Sequence, residues 1–382
     1  MRVMSARIVR ASGLLALATA VGASVAAARP AAAGSGLPER GASLPGGQLF
    51  GVAATSAGNA WAVGQATGSG KTTILRWNGT TWAQQHSPTP KGGGALYAVA
   101  ATSASNAWAV GGSDAPPGKT EIVHWNGTTW TQVPSPTPKG GGALFGVTAT
   151  SASNAWAVGC AGNCFQGFGG IKTLILHWNG RAWTQVPSPS PGQGSALSSV
   201  AATSARSAWA VGCTAFCFLH SDSPQTVFLH WNGSAWKQQP SPAMARAGAL
   251  NGVAATSASN AWAVGCAGHC FGPMATTRTM IAHWNGSAWR AVTSPSPPGN
   301  SVLTAVTATS ARNAWAVGYT RNTDKTLILH WNGTAWAQQP GPSPGPISQL
   351  LGVTATSAGN AWAVGWDLNG LILQHWNGTA WK

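Results

Sequence analysis

SASNAWAVG, residues Ser151 to Gly159, and LILHWNGRAW, residues Leu174 to Trp183, contain the two words on which the reading of this chain turns. The first, NAWAVG, recurs with its tryptophan at Trp61, Trp108, Trp156, Trp209, Trp262, Trp315 and Trp362, Ser207 standing in for Asn in one copy. The second, WNG followed by two residues and another Trp, places pairs at 77/82, 125/130, 178/183, 231/236, 284/289, 331/336 and 376/381. Together they account for all but one of the 22 tryptophans. A fixed period of about 48 residues is the mark of a propeller or a solenoid, and the content of one unit decides between them.

Each unit reads as four short strands. Strand A is of the Leu49 to Thr55 type and leads through a Ser/Ala/Asn turn into strand B, the NAWAVG word. There Trp61 and Val63 face one side and Ala60 and Ala62 the other, the period-2 alternation of a strand. Strand C is of the TLILHW type and joins strand D through Asn-Gly, the strongest short signal for a two-residue hairpin. A Pro/Gly/Ser connector such as Ser135 to Gly142 leads on to the next unit. Helical periodicity is missing. The expected fold is therefore all-β, a seven-bladed β-propeller of four-stranded antiparallel blades over residues 49–382, a ring that protects its sheet edges. Whether residues 34–48 add a closing strand is left open.

The SASNAWAVG and LILHWNGTAW words resemble the Trp-rich repeats of exported bacterial β-propeller proteins, loosely related to the BNR/Asp-box and kelch-like groups. The resemblance covers residues 49–382 and implies the propeller. An Asp-box has the form S-x-D-x-G-x-T-W, and RWNGTTW (Arg76 to Trp82) places Trp77 where Asp belongs, so sialidase-type activity is not carried over.

Only 7% of the 382 residues are charged, with 21 Lys and Arg against 6 Asp and Glu. Arg2, Arg7 and Arg10 precede an uncharged run from Ala11 to Ala28, and small residues offer cleavage sites at Ala26-Ala27-Ala28 and Ala31-Ala32-Ala33. This reads as a signal peptide over residues 1–33, with a linker over 34–48. The expectation is a secreted, extracellular monomer with no membrane span after signal cleavage. An uncleaved anchor is the alternative.

The distance from the strand-D Trp to the next strand-B Trp is constant, as from Trp82 to Trp108 or from Trp336 to Trp362. All variation in length lies between strands B and C, and the three longest of these loops carry the cysteines: Cys160/Cys164, Cys213/Cys217 and Cys266/Cys270. Local disulfides are expected in an oxidising compartment. Zinc shared between neighbouring blades is the alternative, since His220 and His269 lie near.

Loops on a rigid scaffold are where binding usually resides. The strand order puts the B–C loops on one face with the D–A connectors. Lys71, Lys119, Lys172, Arg278 and Lys325 stand six residues before the WNG tryptophan in five units, and Lys91, Lys139, Arg246 and Arg321 join that face. The long loops add Phe165, Phe168, Phe216, Phe218, Phe271, His220 and His269, while Tyr319 and Trp366 depart singly from the repeat. Cations beside aromatic rings suit an anionic polymer or a sugar; solubility and small loop cores are the plainer readings. The candidate ligand contacts are Lys119, Phe165, Phe168, Lys172, Phe216, Phe218, His220, His269, Phe271, Arg278, Tyr319, Lys325 and Trp366.

Catalysis has little to stand on: the carboxylates are Glu39, Asp114, Glu121, Asp222, Asp324 and Asp367, with no common position. No nucleophile elbow, phosphate loop or metal cluster appears. The expectation is a binding or adhesion module for a polysaccharide or acidic cell-surface polymer, or for a protein partner, without cofactor, metal or nucleic acid. A glycan-processing enzyme using the loop aspartates and a structural envelope protein are the alternatives. The repeated histidines before WNG and the Asn-Gly-Thr/Ser turns are read as structural, the histidines as hydrogen-bonded between blades.

Overall fold

A computed structural model describes residues 44, 46–165, 170–192, 194–214, 224–242, 248–268, 270 and 277–382. The leader 1–33 and most of the linker fall outside the described residues. In the first blade β1 (Gly47–Ser56), β2 (Asn59–Ala66), β3 (Thr72–Trp77) and β4 (Trp82–Gln85) fill roles A to D and pair in that order. In the second, β5 (Gly94–Ser103), β6 (Asn106–Ser113), β7 (Thr120–Trp125) and β8 (Trp130–Gln132) do the same. Seven antiparallel sheets are present among the described residues, the last with three strands and a Trp376–Trp381 bridge in place of the fourth. The seven-bladed propeller is thus the observed fold.

The tryptophan ruler measures the interface between blades. Trp108 of the second blade sits 4.9 Å from Trp178 and 5.2 Å, edge-on at 88°, from Trp183 of the third. The same triplet recurs, as at Trp209 with Trp284 and Trp289. Val and Ala from the facing strands complete each wedge. The alternation in strand B acts as expected: Trp61 and Val63 pack toward the second blade, Ala60 and Ala62 toward the seventh. The ring closes by packing, with Trp362 and Val364 of the last blade against Leu49, Val52 and Leu75 of the first.

Every strand A carries a bulge that the sequence reading missed. Leu49 pairs with Gly64 and Gly51 with Val63, so Phe50 has no partner in the ladder, and the other six blades repeat the shift. The bulge brings a strand-A carbonyl onto the glycine of NAWAVG: a Cβ on Gly159 would lie 1.9 Å from the Ala143 oxygen. That close approach explains why the word ends in Gly. The bulged residues, Phe50, Tyr97, Phe145, Ser198, Asn251, Thr304 and Leu351, line an axial cavity of about 80 Å³. Beside them run Gly51, Ala98, Gly146, Ser199, Gly252, Ala305 and Gly352, glycine alternating with a small residue. A Cβ on Gly146 would come within 2.9 Å of Ser199 Cα in the next blade.

The constant D–A length also has a cause. The first threonine of strand C is tied to the connector: Thr120 Oγ1 donates to the Pro136 carbonyl (3.1 Å) and Thr173 Oγ1 to that of Pro189 (2.9 Å). The opposite face is held by turn chemistry. Asn78 Oδ1 accepts from the Thr80 and Thr81 amides and the Thr80 hydroxyl, and Trp77 Nε1 donates to the Ala57 carbonyl. The repeated histidines are structural, but their partners lie within the blade and not across the interface. His177 Nε2 bonds Asn154 Oδ1 at 2.9 Å, Asn154 Nδ2 donates to Thr150 Oγ1, and the imidazole stacks on Trp156 at 4.1 Å. Desolvation by this packing lowers the pKa of His124, His177, His230, His283, His330 and His375. In the first blade Arg76 takes the place and lies 5.0 Å from the Trp61 ring centroid.

Candidate functional site

Strand C begins on the face that carries the B–C loops, and a cation stands beside its first threonine in five blades. Lys71, Lys119, Lys172, Arg278 and Lys325 are all exposed at this register, as are Lys91 and Lys139 on the connectors. The expected cationic rim is therefore present on one face. Arg321 belongs to it less freely, because its guanidinium donates to the Cys270 carbonyl at 2.5 Å and links the loops of the fifth and sixth blades.

The aromatic half of the expectation divides. Phe165 is 38% exposed and its ring stands 6.4 Å from Tyr97 and 6.1 Å from Phe145, so it covers the aromatic side of the axis while keeping one face in solvent. Tyr319 is turned inward: it is 2% exposed and packs with Val302 and Leu351 in the axial core, where burial raises its phenol pKa. Trp366 is half-buried against the same cluster. Phe168, Phe216, Phe218, His220, His269 and Phe271 lie outside the described residues.

Two of the expected disulfides are formed, Cys160–Cys164 and Cys266–Cys270, with Cα separations of 6.1 and 5.7 Å. Cys217 lies outside the described residues. These two bridges occupy four of the six thiols on which the zinc alternative drew. They are also deeper than surface staples would be, for all four sulfur-bearing residues are at most 2% exposed and pack with Ile171 and Cys213 around the axis. The four bridged cysteines are thus part of the central cluster.

A feature that the sequence reading passed over lies in the second blade. A cleft of about 890 Å³ opens between the connector at Thr89–Gly92, the B–C loop at Ser113–Lys119 and the connector at Val133–Thr137. Glu121 is in its wall and only 3% exposed. Gln132 Nε2 donates to Glu121 Oε2 at 3.1 Å, while Oε1 is buried without a hydrogen-bond partner. Burial pushes its pKa up to about 7, with the Gln132 bond pulling the other way. The signal was in the sequence: at this strand-C position other blades carry Thr73, Leu174, Val227, Met280 and Leu327. An acid in an otherwise uncharged, mostly apolar register is the informative departure. The loop aspartates are dispersed, Asp114, Asp324 and Asp367 belonging to the second, sixth and seventh blades; Asp114 accepts from Gln65 Nε2 and Asp367 from the Asn369 amide. Among the described residues no helix is long and apolar enough to cross a membrane.

No protein-family model matches the chain, and no curated protein matches it. Solved structures share its fold at low identity. A GH74 xyloglucanase from Xanthomonas campestris is 13% identical with a TM-score of 0.59 over 88% of this chain and 54% of that one. YCF48 bound to a D1 peptide is 14% identical with a TM-score of 0.54 over 86% and 93%. The fucose-specific lectin from Aleuria aurantia is 12% identical with a TM-score of 0.50 over 88% and 96%. These likenesses establish the propeller.

Proposed function

We propose that the protein is an exported, monomeric binding module whose B–C face holds a polysaccharide or another anionic polymer of a cell surface. In this reading residues 1–33 are a cleaved signal peptide, residues 34–48 a linker, and the repeats those of the exported Trp-rich propellers. The observation that carries it is the register of exposed cations, Lys71, Lys119, Lys172, Arg278 and Lys325, on one face of a chain with few acids. Like charges at one level of a rigid ring add their fields and raise the local concentration of a polyanion. Phe165, at the mouth of the axis, supplies a ring face for a sugar. The fucose-specific lectin and the xyloglucanase are also β-propellers and are named for glycans, which supports the ligand class. A binding role fits the dispersed loop aspartates better than hydrolysis, which needs two carboxyl groups flanking one bond.

A screen of the secreted protein against neutral and anionic glycans at low and high salt tests the reading. Binding to anionic polymers that weakens with salt is expected, and replacing Lys119, Lys172, Arg278 and Lys325 by Glu abolishes it. Salt-insensitive binding would transfer the role to the aromatic surface, and binding to no glycan would leave a protein partner or an envelope role.

A further inference from the structure

The cleft of the second blade has a buried acid in its wall and two exposed bases at its edge. Glu121 is the only charged residue at its strand-C register, and one of its carboxyl oxygens faces no partner. A buried polar group without a partner costs free energy that a bound ligand recovers. Lys91 and Lys119 are exposed at the edge of the same cleft. Pro90, Pro116 and Pro134 add apolar ring surface. The volume suits a few sugar rings, within the range of small-molecule sites.

The donor set selects the ligand. One carboxyl group in a cleft edged by two ammonium groups is poorly matched to a metal cation, which gathers several oxygen ligands. A bare phosphate or sulfate would satisfy the lysines and leave Glu121 unpaired or opposed. A ring that carries hydroxyls and a carboxylate satisfies both. We propose that this cleft is a subsite for a hexuronate residue of an acidic polysaccharide, a ring hydroxyl donating to Glu121 Oε1 and the sugar carboxylate lying between Lys91 and Lys119. The proposal rests on the polysaccharide reading above and specifies where one residue of the polymer is recognised.

The test is titration of the full secreted protein with trigalacturonate and with its methyl ester. The variants are E121L, E121M and the K91Q/K119Q pair. Leu and Met occupy the Glu121 register in other blades, so the first two retain the fold, which a melting curve checks. The expected result is binding of the acid at least tenfold tighter than of the ester, and at least a tenfold loss in each Glu121 variant and in the lysine pair. Equal affinity for acid and ester would overturn the hexuronate. Unchanged affinity in all three variants, with loss on K172E/R278E/K325E, would overturn the cleft and leave the polysaccharide reading intact. Failure of trigalacturonate and of every polysaccharide in the screen to bind would end both.

Discussion

The wedge between blades and the ring around the axis come from the same repeat, and they have been treated differently. In the wedge, Trp156 meets Trp231 and Trp236 with nearly the distances and angles by which Trp262 meets Trp331 and Trp336. Around the axis the equivalent residues are Phe50, Tyr97 and Phe145 on one side, Ser198, Asn251 and Thr304 on the other, and Leu351 between them. Phe50 and Phe145 stand 5.4 and 5.5 Å from Tyr97, while Thr304 and Asn251 spend their polar groups on strand carbonyls. A wedge residue touches two blades and must satisfy both, so each copy is bound by the next. An axial residue projects from a bulge into a shared space, where only the sum of volumes and hydrogen bonds is constrained.

The largest expected effect breaks the wedge. Trp209→Ala should lower stability by about 3–5 kcal/mol, as deletion of a buried aromatic does, whereas Ser198→Ala at the axis should change it by less than about 1 kcal/mol. Equal costs in chemical denaturation would dissolve the distinction. Next comes the one acid set into a wedge register. Its folded-state pKa of about 7 exceeds the ordinary 4.5. The folded protein therefore holds the proton longer, and stability declines as pH rises through that window. Glu121→Leu should remove this slope and raise stability above pH 7 by up to about 3 kcal/mol, with little gain at pH 4. Urea midpoints across pH check the sign.

Opening the Cys160–Cys164 ring by replacing both with Ser should cost about 2 kcal/mol in the chain-entropy model. Reduction of the wild type, which opens the Cys266–Cys270 ring as well, should lower its melting temperature further than the double Ser variant does. The smallest single effect belongs to the histidines. Their lowered folded-state pKa means that the unfolded chain binds protons first, so stability is lost as pH falls below the ordinary 6.5. His177→Gln should flatten that loss slightly, and a slope unchanged by the substitution would remove His177 from the account.

The fold was legible because its determinants are local and repeated. Tryptophan spacing, Asn-Gly turns and strand alternation recur too often for another architecture to accommodate them. The cation register could be read for the same reason. The bulge could not, since an unpaired residue in LFGV is visible only once the Gln48 carbonyl is seen to occupy the place of a Gly64 Cβ. Tyr319 and the cysteines looked like surface features because their loops vary in length, but variation in length does not reveal that these side chains are buried in the axial cluster. Glu121 could have been found by aligning the seven copies of strand C position by position.

The alternation of Gly51, Ala98, Gly146, Ser199, Gly252, Ala305 and Gly352 is a two-colour pattern on a circle with an odd number of places. Two like colours must meet somewhere, and they meet where the last blade joins the first: Gly352 faces Gly51, and a Cβ on it would lie 3.2 Å from Gly51 Cα. Gain or loss of a single repeat would change this parity, so the number of blades is itself inscribed in the packing, and the Gly352–Gly51 join is the place where a ring of another size would have to rewrite it.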